Sequence, residues 1–368
     1  MIPEEVTNFE GIDALINQNR SFALYCLPGL NEPTLVLQTG DNACNLKTYS
    51  DLNGKKGFVL APFCLNDSHP IVLIRADVVS TGWKAIAGYS SGKSFRIMDD
   101  FQEFSVEDEA DSFTNYTRIF DLFIDPLRKG TFEKLVLSRK IKGCKVKSFS
   151  PAQSFYNACK LYTRAFVYLC HTPQSGTWLG STPELLLSGE SGNWHTVALA
   201  GTQPIINNLL PDNWNDKNRR EQALVAGYIK TQLASSGINP SEDGPYTVRA
   251  GELAHLKTDF HFELSDKACL GDLVELLHPT PAICGLPRKD ALRFINENEG
   301  YDRSYYSGFI GRIDPKGSND LYVNLRCMQI DSKELTLYAG GGLLASSDVD
   351  QEWEETKDKL QTMLAILK

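Results

Sequence analysis

In this 368-residue chain, the glycine-rich run Tyr338-Ala339-Gly340-Gly341-Gly342-Leu343 leads to Asp348 and an acidic segment in which Glu352, Glu355 and Lys359 recur at i, i+3 and i+7. Helical periodicity puts these two carboxylates and one ammonium on a single face. The pattern predicts a turn at the glycines running straight into the helix. There, backbone amides can approach a ligand closely and the helix dipole favours anions. Such a combination suits an anionic ligand together with a hard cation. A charged helix face is ordinarily just a solvated one, and three glycines can serve only a tight connection. The chemical reading therefore rests on partners elsewhere in the chain.

Lys134 lies in Phe132-Glu133-Lys134-Leu135-Val136-Leu137-Ser138-Arg139, where strand alternation puts Lys134, Val136 and Ser138 on one face. A strand lysine is commonly an edge or solvated residue, but one that faces a partly buried cavity can serve as a general base. Glu184, in Ser181-Thr182-Pro183-Glu184-Leu185-Leu186-Leu187, stands at the mouth of an apolar strand. Apolar surroundings would hold its carboxylic acid protonated and make it a proton donor. Glu221 lies in the first turns of a helix, where a carboxylate usually complements the dipole. Paired in space with Glu355, it would give magnesium two hard oxygen ligands. Arg326 occurs within Tyr322-Val323-Asn324-Leu325-Arg326-Cys327, which reads as a core strand. A buried arginine needs a partner, and a bidentate carboxylate clamp is its natural role. Tyr306 could add a hydroxyl donor, although a packed aromatic is the commoner outcome.

These residues must be positioned by a folded core, which 42% hydrophobic content can supply. The formal charge of -9 and the lack of a basic run exclude a general nucleic-acid binder, so an anionic substrate must be met by a locally positive pocket. No secretory signal and no membrane-length apolar run is apparent, and nine singly placed cysteines fit a reduced, cytoplasmic setting. Without a paired-cysteine or HExxH pattern, zinc has no obvious home.

The first 110 residues alternate short β-rich runs (Ser21 to Leu27, Thr34 to Gln38, Gly57 to Ala61, Ile71 to Ile74) with turn residues and carry no chemical motif. A polar connection over Asp99 to Asp111 leads to a helix expected at Ser112 to Leu127. Beyond Phe132, strands and helices interleave, including strands expected at Tyr305 to Ile313, Leu321 to Ile330 and Leu335 to Ala339. Antiparallel meanders mixed with helices point to an α+β architecture in one domain spanning 1-368, with 132-367 as its motif-bearing part.

The ordered set of motifs (Lys-x-Val-Leu-Ser-Arg from Lys134, Thr-Pro-Glu-Leu-Leu from Thr182, Leu-Ala-Gly-Thr from Leu199, Leu-His-Pro-Thr-Pro-Ala from Leu277 and the glycine-to-helix segment) resembles the chorismate-utilising enzymes, and within them the isochorismate synthases. The resemblance covers about Phe132 to Leu367. It implies an anthranilate synthase component I-like fold: two large, mainly antiparallel sheets packed together, with helices outside and the site between them. It implies that Lys134 activates a water, that Glu184 protonates the departing hydroxyl, and that Glu221 and Glu355 hold magnesium, with Glu352 and Lys359 completing the shell. Arg326, Tyr306 and the amides around Gly340 and Gly342 would hold the enolpyruvyl carboxylate, Gly201 and Thr202 would line the ring, and His278 would be a wall or hydrogen-bonding residue. Lysine at 134 goes with water as nucleophile in the family, whereas glutamine there marks the ammonia-using anthranilate synthases. Ala200 replaces the nucleophilic lysine typical of aminodeoxychorismate synthases. The expected activity is magnesium-dependent conversion of chorismate to isochorismate, for menaquinone or siderophore biosynthesis. Neither a glutaminase subunit nor a membrane partner is expected. A salicylate synthase and a non-catalytic chorismate-binding protein are the alternative readings.

Overall fold

Segments such as Phe22–Cys26, Gly57–Ala61 and Ile71–Arg75 are buried along almost their whole length, so their strands alternate no polar face toward water. Continuous apolar runs of this kind require cover on both sides of a sheet. The computed structural model, which describes residues 9–40, 42–88, 109–144, 149–250, 253–264 and 270–367, supplies that cover with two nine-stranded sheets and helices outside them. The first sheet runs in the order Gly285–Leu286, Lys134–Cys144, Glu334–Leu343, Cys327–Ile330, Gly176–Thr182, Phe166–Thr172, Phe22–Cys26, Thr34–Leu37, Val78–Thr81. The second runs Ser241–Ala250, Leu253–Glu263, Asn193–Pro204, Leu185–Glu190, Asn319–Val323, Phe309–Ile313, Gly57–Ala61, Ile71–Arg75, Cys44–Leu46. Every pairing is antiparallel. The motif-poor N-terminal strands thus extend both sheets beside the motif-bearing ones.

The inner faces meet in an aromatic core that includes Tyr25, Phe58, Phe166, Tyr168, Trp178 and Tyr322, with the Phe166 and Tyr322 rings stacked at 4.4 Å. Outside the first sheet, helices Pro151–Leu161 and Val349–Leu364 bury Phe155, Leu360 and Met363 against Leu169, Leu337 and Ala339. Outside the second, helices Asp216–Ser235 and Leu270–Leu277 bury Val225, Ile229 and Val274.

Three expectations are corrected. The segment expected as one strand over Leu321–Ile330 is two strands in different sheets, Asn319–Val323 and Cys327–Ile330, and Arg326 sits in the crossing between them with φ 46°. Polar bonds from buried Asn324 hold the crossing, because its side chain accepts from the Tyr168 hydroxyl and donates to the Tyr305 carbonyl. The strand expected from Tyr305 begins only at Phe309, since Ser304 and Ser307 take φ of 52° and 60° and leave Tyr305 and Tyr306 in a turn. Gly340–Gly342 form no turn at a helix entrance. They lie inside the Glu334–Leu343 strand, paired with Ser138, Leu137 and Val136, and the helix starts later, where Asp348 caps the amide of Gln351. The acidic connection expected over Asp99–Asp111 lies largely outside the described residues, and the helix after it spans Glu109–Arg128.

A buried ion pair fixes the strand that begins at Lys134. Arg303 Nε and Nη2 each lie 2.6 Å from Glu299, and the same guanidinium donates to the Ile283 and Val136 carbonyls. Glu299 Oε1 in turn accepts from the Ser138 amide at 2.7 Å and its hydroxyl at 2.8 Å. Removing one member leaves a buried charge without compensation, so Arg303→Met is expected to lower the unfolding free energy in urea by about 3–5 kcal/mol. The Arg303→Met/Glu299→Leu double variant should recover part of that loss, and an unchanged single variant would contradict the assignment.

Candidate functional site

Lys134 opens the first-sheet strand that pairs with Glu334–Leu343, so its side chain rises beside Gly342 between the two sheets. Glu221 reaches the same place from the Asp216–Ser235 helix, which is started by Asn215 accepting from the Asn218 amide at 2.8 Å. Lys134 Nζ and Glu221 Oε1 are 2.8 Å apart, with the lysine side chain fully buried. Gly342 makes this meeting possible: a Cβ there would stand 2.2 Å from Glu221 Oε1 and 2.8 Å from Lys134 Cε. On Gly341, a Cβ would stand 2.9 Å from Glu352 Oε2 and 3.7 Å from Glu355 Oε1. The glycines therefore serve as clearance for side chains within a strand.

Two more ion pairs follow. Glu352 is 1% exposed; its Oε1 bonds Lys217 Nζ and accepts from Ser347 Oγ at 2.8 Å, while its Oε2 is buried without a hydrogen-bond partner. Burial and the neighbouring Glu355 charge push the Glu352 carboxyl up to about 7 against the pull of Lys217. Glu355 Oε1 lies 2.6 Å from Lys359 Nζ. Burial opposes its charge, yet Lys359 and Lys217 hold it down at about 2. The helix carrying both acids is fastened to the Lys134 strand by Arg139, whose guanidinium stacks 3.7 Å over the Trp353 ring and donates to Thr356 Oγ1.

Glu184 faces these groups from just before the second-sheet strand Leu185–Glu190, its carbonyl accepting from the Val323 amide at 2.9 Å. It is 5% exposed, and burial raises its carboxyl to about 7 in spite of Lys134, Lys359 and Arg326 nearby. A proton is thus stored next to a cluster of cations, as a general acid requires. Beyond it, Arg326 Nη2 lies 3.5 Å from His255 Nε2, while His255 Nδ1 lies 2.9 Å from the Gly201 carbonyl. Burial, Arg326 and Lys359 lower the His255 imidazole to about 3, so it is neutral. With Nδ1 donating to Gly201, Nε2 presents its lone pair to the guanidinium. Lys359 also donates to the Gly340 carbonyl at 2.8 Å.

The structure lines one cavity with Glu184, Gly201, Thr202, Glu221, Tyr306, Arg326, Gly340, Gly342 and Lys359, all named from the sequence. Lys134, Glu352 and Glu355 stand behind this lining, joined to it by their ion pairs and by the glycines. His278 is not brought to the cavity. Its ring packs 5.2 Å from Phe309 and its Nε2 lies 3.3 Å from the Pro62 carbonyl, because the helix before it ends on the far side of the second sheet. Sequence reading missed Lys217 and His255. Lys217 was within reach, being four residues before Glu221 on the same helix face. His255 gave no signal, since its meeting with Gly201 and Arg326 is set by strand register.

Hard carboxylate oxygens, one of them an orphaned Glu352 Oε2, fit a magnesium ion by donor type. The ligand atoms of Glu221, Glu352 and Glu355 do not all lie within 4.8 Å of one another, since each carboxylate is turned toward its own ammonium. Among the described residues the group that meets that distance is His195, Asp259 and His261, created by cross-strand register. Its Asp259 already accepts from His195, Lys257 and Tyr246.

Residues 76–368 match the family described as chorismate binding enzymes. The chain is 32% identical over 250 residues to the salicylate biosynthesis isochorismate synthase of Pseudomonas aeruginosa, covering 65% of this chain and 52% of that protein. It is 34% identical over 214 residues to isochorismate synthase EntC of Escherichia coli, covering 54% of each. The chain thus spans about half the length of these relatives. Its fold matches that of MenF, the menaquinone-specific isochorismate synthase of Escherichia coli, with a TM-score of 0.75, 21% identity, and 98% of this chain and 92% of that one covered.

The raised Glu184 carboxyl makes a prediction about stability. Between its ordinary 4.5 and about 7, the folded chain holds a proton that the unfolded chain has released. The stabilisation from this group is therefore complete below the lower value and lost as pH rises through the upper. From about pH 5 to about pH 8 the melting midpoint of the parent protein should fall more than that of Glu184→Gln. Parallel pH profiles would show that Glu184 is ionised throughout.

Proposed function

Because the chain belongs to the chorismate binding enzymes, we propose that it converts chorismate to isochorismate in a magnesium-dependent reaction, with the Glu184 side of the cavity supplying the acid and the Lys134 side the base. The observation that carries this reading is a buried carboxyl held protonated to about 7 beside the same cavity as a fully buried lysine. A protein that only binds has no use for an acid and a base kept apart on two sheets.

Chorismate carries two carboxylates, and the site offers two cationic ends. Arg326, Lys359 and the Tyr306 hydroxyl would hold the enolpyruvyl carboxylate against the backbone of Gly340 and Gly342. A magnesium ion, held by Glu221 and Glu355 with Glu352 completing the set, would supply the fixed charge for the ring carboxylate. Gly201 and Thr202 flank the ring, and Ala200 leaves room without offering a nucleophile. Lys134, acting as the neutral amine once parted from Glu221, takes a proton from water as its oxygen adds at C2, the ring double bond shifts, and Glu184 gives its proton to the C4 hydroxyl, which departs as water; the resulting ammonium and carboxylate exchange that proton with solvent before the next turnover. One water enters and one leaves, so the reaction is an isomerisation. Clamping both ends of the substrate turns this into a reaction between neighbours.

Purified protein given chorismate and magnesium should yield isochorismate without pyruvate, and chelation of the metal should stop it. Salicylate with pyruvate would make the chain a salicylate synthase, product formed only with added ammonia an anthranilate-type enzyme, and no consumption a binder. General acid and base contribute about 10²- to 10⁴-fold each, so Lys134→Ala and Glu184→Gln should each lower kcat by about that factor while remaining folded by circular dichroism. Wild-type turnover in either variant would remove that residue from the mechanism.

A further inference from the structure

The antiparallel pairing of Asn193–Pro204 with Leu253–Glu263 sets His195 directly opposite His261. Along the second strand, alternation puts Lys257, Asp259 and His261 on one face with His255, which lines the inner cavity. His261 lies six residues beyond His255, about 20 Å along the strand at about 3.3 Å per residue, so this end of the face stands clear of the proposed acid and base. The His195 and His261 rings are stacked at 4.3 Å and 8°. One ligand atom from each of His195, Asp259 and His261 falls within 4.8 Å of the others. Asp259 is 5% exposed, His195 is half-buried and His261 is exposed, so the group has a fixed base and an open side toward solvent.

We propose that His195, Asp259 and His261 form a site for a divalent transition cation of the zinc type, which ties two adjacent strands of the second sheet together. Two imidazoles and a carboxylate are donors that zinc accepts, and three protein ligands leave its fourth position to water. Bonds of about 2.0–2.2 Å put tetrahedral donors about 3.5 Å apart, so the three must close in by about 1 Å. The second torsion of a histidine is soft, and a tilt of the stacked rings turns their lone pairs toward a common point. His195 Nε2 donates to Asp259 Oδ1 at 2.6 Å. The cation takes the place of that hydrogen, which moves to Nδ1 to give the other neutral tautomer. The Tyr246 hydroxyl, bonded to Asp259, holds the carboxylate as an outer partner. Lys257 is the competitor. Its ammonium lies 2.8 Å from Asp259 Oδ1, in the place of a cation, and with 27% of its side chain exposed on a flexible stem it can swing out to solvent.

Calorimetric titration of the whole chain with zinc chloride at neutral pH, in excess magnesium so that the carboxylates of the inner site are already supplied with a hard cation, should show one zinc bound per chain. His261→Ala changes an exposed side chain and should weaken that binding by about tenfold or more. Lys257→Met removes the competing ammonium and should tighten it by about tenfold, which a zinc held elsewhere would not show. Zinc should raise the melting midpoint of the parent protein and leave that of His261→Ala where it is. With cobalt chloride as the probe, visible absorption from the metal without an intense thiolate charge-transfer band is expected. No zinc bound by the parent, equal affinity in the parent and His261→Ala, or a thiolate band showing that cysteines hold the metal would each overturn the site. Binding and melting are read without turnover, so the outcome stands apart from the proposed activity.

Discussion

Three carboxylates and three ammoniums meet in buried to partly buried surroundings, and the site exists only because each acid has a base beside it: Lys134 with Glu221, Lys217 with Glu352, and Lys359 with Glu355. Any one of these charges alone would cost several kcal/mol to bury. The pairing also fills the space. The inner cavity encloses about 60 Å³, which admits only a few waters. The proposed substrate, a ten-carbon dicarboxylate, and the proposed cation therefore cannot simply occupy a void. Their binding must be an exchange, in which ammonium–carboxylate pairs part and the new charges take their places. The unpaired Glu352 Oε2 and the proton held on Glu184 are where the balance is incomplete, and both lie where chemistry is proposed.

The pairing depends in turn on the Glu334–Leu343 strand. A Cβ on Gly342 would stand 2.2 Å from Glu221 Oε1 and one on Gly341 2.9 Å from Glu352 Oε2, so side chains there would push these carboxylates aside. Its neighbour is fixed from the other side by the Arg303–Glu299 pair, which holds the backbone at Val136 and Ser138. The crossing at Arg326 completes the arrangement by bringing a guanidinium from between the sheets against His255.

Much of this was legible in the sequence, for reasons that differ by residue. The strands at Gly57–Ala61 and Phe22–Cys26 announce themselves as apolar runs, and the helix Glu109–Arg128, expected at Ser112 to Leu127, as a periodic one. The face of Glu352, Glu355 and Lys359 was visible from spacing alone, and Glu354 falls to the wet side, paired with Lys357. The glycines were misread as a turn because clearance for a distant side chain leaves no local mark: the chain signals that a Cβ is unwelcome without signalling why. Arg326 was misread as a strand residue because the apolar run around it is continuous, although the chain changes sheets within it. His278 has a motif's identity and yet is buried against Phe309 and Pro62. Register, crossing and depth are long-range properties, and no window of sequence contains them.

In the proposed reaction, a water activated on the Lys134 side enters the ring as the C4 hydroxyl departs with the proton of Glu184. Turnover of chorismate in ¹⁸O-labelled water, read by mass spectrometry of the product, tests this directly. One solvent oxygen in the C2 hydroxyl of isochorismate is the predicted result. Isochorismate formed without solvent oxygen would rule this reaction out, because the hydroxyl would then have migrated within the substrate without a water for Lys134 to activate.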